Sequence, residues 1–219
     1  MALELGMLLF PDLTQLDLTG PYEVFHRIPE ARVHLLWKDL SPVRAQGGMS
    51  ILPTTTLADC PPLDLVFVPG GFGQQALQDD AVVLEFLRRQ GASARWVTSV
   101  CTGSLLLGAA GLLEGYAATS HWAYVEFLER FGARFEKQRV VVDRNRITAG
   151  GVTSGIDFGL RVAAEIGGEG LAKALQLGLE YDPAPPFHSG HPDVAEPEIV
   201  VAVRARLAPS VEAQRARKG

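Results

Sequence analysis

Two cysteines in 219 residues, Cys60 and Cys101, are too few for a disulfide framework, which points to a reducing compartment and an expected cytoplasmic address. No apolar run approaches the roughly 20 residues that a membrane span needs. No cationic flank precedes the first apolar segment, since Met1-Ala-Leu-Glu4 leads straight into it, so a secretory leader is not expected. Positive charge is short as well. The formal net charge of −5 argues against nucleic acid or an anionic membrane as the main partner. His188 and His191 flank Gly190 without an acidic or thiol companion at ligand spacing, so no metal site is expected. Gly70-Gly-Phe-Gly73 is not the dinucleotide fingerprint, and no Walker sequence exists. Neither internal repeats nor a domain linker interrupt the chain, which reads as one domain over 1–219, with 182–219 as a Pro-rich arm and a C-terminal helix.

What the chain does contain is an alternation of strand and helix signals. Leu5–Phe10 is wholly apolar and ends at Pro11-Asp12, as suits a strand buried on both faces. Pro21 predicts a helix start that continues through Tyr22, Val24 and Phe25. Val33–Trp37 and Asp64–Pro69 read as further strands, the second punctuated by glycines. A helix with Val82, Val83, Phe86 and Leu87 on one face follows. Residues 122–128 predict another helix, 139–149 a hairpin around Arg144-Asn145, and 154–166 and 171–179 two helices. A last helix is expected over 194–207, with a frayed, solvated end at 215–219. Helices and strands alternating at these lengths imply right-handed βαβ units and a mostly parallel sheet covered on both faces.

The chemistry concentrates at Val97-Thr-Ser-Val-Cys-Thr-Gly-Ser104, a strand that breaks at a cysteine into a helix led by Leu105, Leu106 and Leu107. Such an elbow holds the turn residue clear of both elements, and the helix N-terminus behind it is expected to favour the thiolate. The alternative is a buried structural cysteine. In open α/β sheets, ligands bind beyond the carboxyl ends of the strands. That edge should gather Asp17 from the first loop, Gly70-Gly71, Cys101 and Gly150-Gly151. Taken alone, Asp17 is as well suited to capping the next helix, and Pro-Gly-Gly to a plain turn. The N–H groups of Gly71 and Thr102 are placed to form a two-donor pocket. Phe72, Trp122 and Val152 are expected in its walls, beside Gly150. His121 suits either a cysteine–histidine dyad or simple packing, with Thr119 and Ser120 as caps. Cys60, in a Pro-flanked turn, reads as a bystander.

Val66-Phe-Val-Pro-Gly-Gly71, the Cys101 elbow, Thr119-Ser-His-Trp122 and Gly150-Gly-Val-Thr-Ser-Gly-Ile-Asp157 together resemble the DJ-1/PfpI superfamily over nearly the whole chain. Within it, Leu16-Asp-Leu-Thr-Gly-Pro21, Cys101-Thr-Gly, Ser120-His-Trp and Leu179–Phe187 are similar to the bacterial isocyanide hydratases. The resemblance implies a flavodoxin-like α/β three-layer sandwich, akin to the class I glutamine amidotransferases. It also implies a homodimer, no cofactor, and hydration of a small-molecule isocyanide to an N-substituted formamide. Cys101 then falls as nucleophile, Asp17 as acid/base and Thr102 beside them. Proteases and many glyoxalase-like relatives place histidine after the nucleophile, where this chain has Thr102. Two alternatives remain: a DJ-1-like redox or glyoxal-stress protein, and a ligand sensor related to AraC-type regulators but without their helix-turn-helix domain.

Overall fold

A computed structural model describes residues 2–217, so Lys218 and Gly219 of the expected frayed end lie outside the described residues. The first half runs β1 (Leu3–Leu8), α1 (Gln15–Phe25), β2 (Ala31–Trp37), β3 (Val43–Arg44), β4 (Ser50–Ile51), β5 (Thr55–Thr56) and β6 (Leu65–Val68). Then come α2 (Gln74–Leu77), α3 (Ala81–Ser93), β7 (Trp96–Val100) and α4 (Gly103–Ala109). The second half holds β8 (Ala117–Ala118), a 3-10 turn (Val125–Phe131), β9 (Arg134–Phe135), β10 (Val140–Asp143), β11 (Arg146–Ala149), α5 (Ser154–Gly178) and α6 (Pro197–Ala216).

Seven strands form the main sheet in the order β10-β11-β7-β6-β1-β2-β5. All pairings are parallel except β10 with β11, the expected hairpin. Every residue of β6 and β7 is buried, the signature of strands covered on both faces. α1 and α5 pack together on one side, and α2, α3 and α4 contact one another or the sheet on the other. The expected three-layer α/β sandwich is therefore present. Its core on the α1/α5 side centres on Phe25, Phe67 and Phe158, whose ring centroids lie 5.5–6.1 Å apart in edge or tilted arrangements.

Several boundaries differ from the sequence reading, for identifiable reasons. α1 begins at Gln15, six residues before Pro21, so the proline sits inside the helix and Asp17 in its first turn, not in a loop. Leu18, Val24 and Phe25 on its buried face offset the one backbone bond that Pro21 cannot make. Val82, expected inward, is exposed because the buried stripe of α3 runs through Val83, Leu84, Phe86 and Leu87. Residues 125–131 form 3-10 turns instead of an α-helix, and Trp122 precedes them. The helices expected at 154–166 and 171–179 are continuous in direction of chain but broken at Gly168, whose φ of 82° is open to glycine.

The last helix is longer than predicted and its end is anchored. Tyr124 donates to Ser210 Oγ at 2.7 Å, and Gln75 to the Ser210 carbonyl at 2.7 Å. Gln78 donates to Gln214 Oε1 at 2.9 Å, and Gln214 is almost wholly buried. Arg215 pairs with Glu126, and Arg217 with Asp79. Polar side chains carry the packing of α6 onto α2 and the 3-10 turn. Removing the central ring of the opposite core face, Phe158→Ala, should lower unfolding free energy by about 3–5 kcal/mol in urea denaturation; a loss under 1 kcal/mol would show that the layer repacks freely.

Candidate active site

β7 ends at the carboxyl edge of the sheet's middle, and Cys101 follows with φ of +56°, left-handed backbone that a non-glycine residue adopts only when its surroundings hold it there. Four hydrogen bonds do so. The Cys101 N–H is shared between the carbonyls of Ala149 (3.0 Å) and Gly150 (2.9 Å). The Cys101 carbonyl accepts from Ser104 Oγ at 3.2 Å and Ser120 Oγ at 3.0 Å. Ser120 is thus a brace for the elbow, not a helix cap, and Thr119 donates its N–H to Thr148 Oγ1 at 2.9 Å.

Asp17 comes to the same point from α1 and is completely buried. Its Oδ2 accepts from the Gly70 N–H at 3.1 Å, while Oδ1 has no hydrogen-bond partner among the described residues. Gly70 makes the encounter possible. A Cβ there would stand 2.6 Å from Asp17 Oδ2 and 2.7 Å from both Cys101 Cβ and the Thr102 nitrogen. Acid and thiol therefore meet in the space a side chain would have filled.

Burial sets the charge state of the pair. It lifts the Asp17 carboxyl from 3.8 to about 7, against the opposing pull of Cys101 and the Gly70 N–H. It also pushes the Cys101 thiol well above 9.0, assisted by the Asp17 charge, while the N–H groups of Thr102 and Val152 facing the sulfur act the other way. The expectation of a free thiolate is corrected here: a seven-residue helix and two N–H groups do not outweigh burial beside a carboxylate. Near neutral pH, the two groups hold one proton between them and titrate as a unit.

The remaining candidates divide. Thr102 Oγ1 accepts from the Gly71 N–H at 3.0 Å, which ties the glycine loop to the elbow. The Gly71/Thr102 two-donor pocket is therefore not formed, because the Gly71 N–H is already engaged. Its place beside the sulfur is taken by the Val152 N–H, a backbone role that side-chain identity does not reveal. Phe72, expected in a wall, is 51% exposed and is not among the residues that line the cavity described next.

A cavity of about 740 Å³ adjoins the elbow and is lined by Ser120, His121, Trp122, Gly150 and Val152, as well as by residues of the C-terminal arm. Cys101 lies just beneath this lining at 5% exposure. His121 makes no contact with Cys101 among the hydrogen bonds of the described residues. Burial holds it down at about 4, so it is neutral, and its Nδ1 accepts from the Ala123 N–H at 3.2 Å. Cys60 donates to the Pro61 carbonyl, with its thiol pushed up to about 11 by burial. No cluster of metal-ligating side chains occurs among the described residues, and no helix of the described chain is long and apolar enough to cross a membrane.

Fold and site define a doubly covered α/β protein whose cysteine elbow faces a buried carboxyl group. The sequence model of the DJ-1/PfpI family matches residues 5–165, and the chain belongs to that family. It is 55% identical over 212 residues to the isonitrile hydratase of Pseudomonas putida, covering 97% of this chain and 93% of that one. It is 31% identical over 187 residues to the HTH-type transcriptional regulator GbdR of Pseudomonas aeruginosa, covering 81% of this chain but only 50% of the regulator. Among solved structures, a ThiJ/PfpI family protein from Pseudomonas syringae superposes with a TM-score of 0.95 at 43% identity, covering 97% of this chain and 89% of that one. DJ-1β of Drosophila melanogaster shares the fold at a TM-score of 0.76 and 24% identity, covering 82% of this chain and 98% of that one.

The raised carboxyl has a stability consequence with a definite sign. Because Asp17 binds its proton more tightly folded than unfolded, its favourable contribution is complete below pH 3.8 and is lost as pH rises through about 7. Asp17→Asn abolishes that dependence. Between pH 4 and pH 8, the stability of Asp17→Asn relative to wild type should therefore improve by about 4 kcal/mol, measured by urea denaturation at each pH; a pH-independent difference would contradict the raised carboxyl.

Proposed function

We propose that this protein is an isonitrile (isocyanide) hydratase, adding water to R–N≡C to give R–NH–CHO. The observation that carries the reading is 55% identity, over almost the full length of both chains, to a protein bearing that name. The paired Cys101 and Asp17 supply chemistry that suits it. The reaction needs a nucleophile and a proton at one carbon, and a thiol–carboxyl pair sharing a single proton offers both.

In the proposed sequence, Asp17 takes the Cys101 proton as Sγ bonds to the terminal isocyanide carbon. The same proton then passes from Asp17 to that carbon, leaving the thioimidate R–N=CH–S–Cys101. Asp17, again ionised, accepts a proton from water as the water oxygen bonds to the carbon, and the proton moves on to nitrogen. The tetrahedral adduct R–NH–CH(OH)–S–Cys101 then collapses. The C–S bond breaks, the hydroxyl proton returns through Asp17 to the pair, and the formamide departs. The N–H groups of Thr102 and Val152 face the sulfur and stabilise the charge it carries as it attacks and leaves. Thr102 acts in addition as a positioning residue, through its bond to Gly71.

The DJ-1-like redox reading is less well served by this site. Oxidation selects exposed, low-pKa thiols, whereas Cys101 is buried and its thiol is pushed up. The sensor reading rests on a likeness to half of a regulator. We further infer a cytoplasmic homodimer acting on a small molecule, without nucleic acid, membrane or cofactor, on the free cysteines and the family resemblance.

Formamide release from cyclohexyl isocyanide should fall to background in Cys101→Ala and at least about 100-fold in Asp17→Asn. Intact-protein mass should show a labile substrate adduct that Cys101→Ala lacks. Near-wild-type turnover in either variant would overturn the assigned roles. For wild type, kcat/KM should drop about tenfold per pH unit below about 7, as Asp17 is protonated, the pair then holds two protons and no base is left for the thiol; a rate flat down to pH 5 would contradict this. Gly70→Ala should separate acid from thiol and reduce kcat by about 100-fold while the protein still folds; an unchanged kcat would show that their contact is dispensable.

A further inference from the structure

The cavity beside the elbow has an outer half that the hydration chemistry does not use. Ser120, Gly150 and Val152 line its floor and also touch Cys101, so the substituent R of a bound isocyanide extends from the sulfur into this space. The volume, about 740 Å³, is that of a site for a substantial organic group and not for the isocyanide carbon alone. Trp122, Val125 and Phe135 give it apolar walls.

Its charge runs against that of the chain. The whole sequence carries net −5, yet the lining holds Lys137, Arg139 and Arg204 against the single carboxylate of Asp193. Lys137 is already paired with Asp193 at 2.5 Å. Arg139 is paired at 2.5 Å with Asp157, which is not part of the lining. Arg204 is different. Its guanidinium lies 5.0 Å from the Trp122 ring centroid, and no carboxylate stands within 4 Å of it among the described residues. An exposed guanidinium over an indole, in no hydrogen bond among the described residues, has its N–H groups available to receive a carboxylate in bidentate fashion.

The geometry points to a preference for isocyanides whose apolar substituent ends in a carboxylate, with Arg204 of the C-terminal helix as the residue that reads it. The inference rests on the hydratase reading for the reaction, and adds the substrate class. Hydration of such a compound leaves the carboxylate untouched and yields an N-formyl amino acid or a homologue. The arm and α6 then have a function beyond packing: they bring the specificity group to a cavity whose reactive floor is built by the sheet.

The test compares 6-isocyanohexanoate, whose apolar chain ends in a carboxylate, with its methyl ester, using cyclohexyl isocyanide as neutral control, for wild type and Arg204→Met. Wild type should show kcat/KM at least about tenfold higher for the carboxylate than for the ester. Arg204→Met should lose that margin while turning over the ester and cyclohexyl isocyanide within about twofold of wild type. Equal rates for carboxylate and ester in wild type, or an equal loss on all three substrates in Arg204→Met, would overturn the assignment. Binding of the products, 6-formamidohexanoate against its methyl ester, is measured by calorimetry in the same two proteins. If no isocyanide is turned over, the hydratase reading falls, and product binding still decides the cavity. Tighter binding of the free carboxylate that disappears in Arg204→Met supports the assignment, and indifference to the carboxylate contradicts it.

Discussion

Placing a carboxyl group and a thiol side by side, both out of water, is the constraint around which this chain is arranged. Two anions cannot share that site, so the pair keeps a proton, and the protein carries the cost of a carboxyl held at about 7 instead of 3.8. The backbone supplies the room. Gly70 has no side chain where Asp17 and Cys101 converge, and its N–H donates to Asp17 Oδ2. The unpartnered Oδ1 marks the side of the carboxyl left for chemistry.

The layers around the pair explain how such an arrangement stays folded. β7 lies between β6 and β11, so the strained Cys101 turn is gripped by carbonyls from Ala149 and Gly150 and by hydroxyls of Ser104 and Ser120. Asp17 is delivered by the first turn of a helix pinned through Phe25 to the aromatic cluster beneath the sheet. A helix is a stiffer support than the loop expected from Pro21. Positional precision at the site is thus drawn from the core, and catalysis of the proposed kind depends on that precision.

Much of this was legible in the residues themselves. The strand–elbow–helix run at 97–107, the parallel strands at the sheet's centre and the hairpin near Arg144 follow from periodicity and turn chemistry alone. Asp17, Cys101, Gly70 and Gly150 gather at one sheet edge because parallel strands must end there. What was not legible is what depends on the third dimension. A backbone N–H carries no sequence signal, so the exchange of Gly71 for Val152 beside the sulfur could not be read. Phe72 adjoins the motif in sequence but points to solvent. Burial of Cys101 outweighs the helix N-terminus that was expected to favour its thiolate. The chain end from Arg215 looked frayed and solvated, because the partners of Arg215 and Arg217, Glu126 and Asp79, lie 89 and 138 residues away in the chain.

The most direct test of the shared proton is an infrared difference titration that follows the Asp17 carboxyl stretch, assigned by its absence in Asp17→Asn. The carboxyl should lose its proton near pH 7 in wild type, and at higher pH in Cys101→Ala, where the hydrogen bond that pulls it down is gone and the burial remains. An Asp17 that titrates near its ordinary 3.8 in the folded wild-type protein would contradict the account at its root.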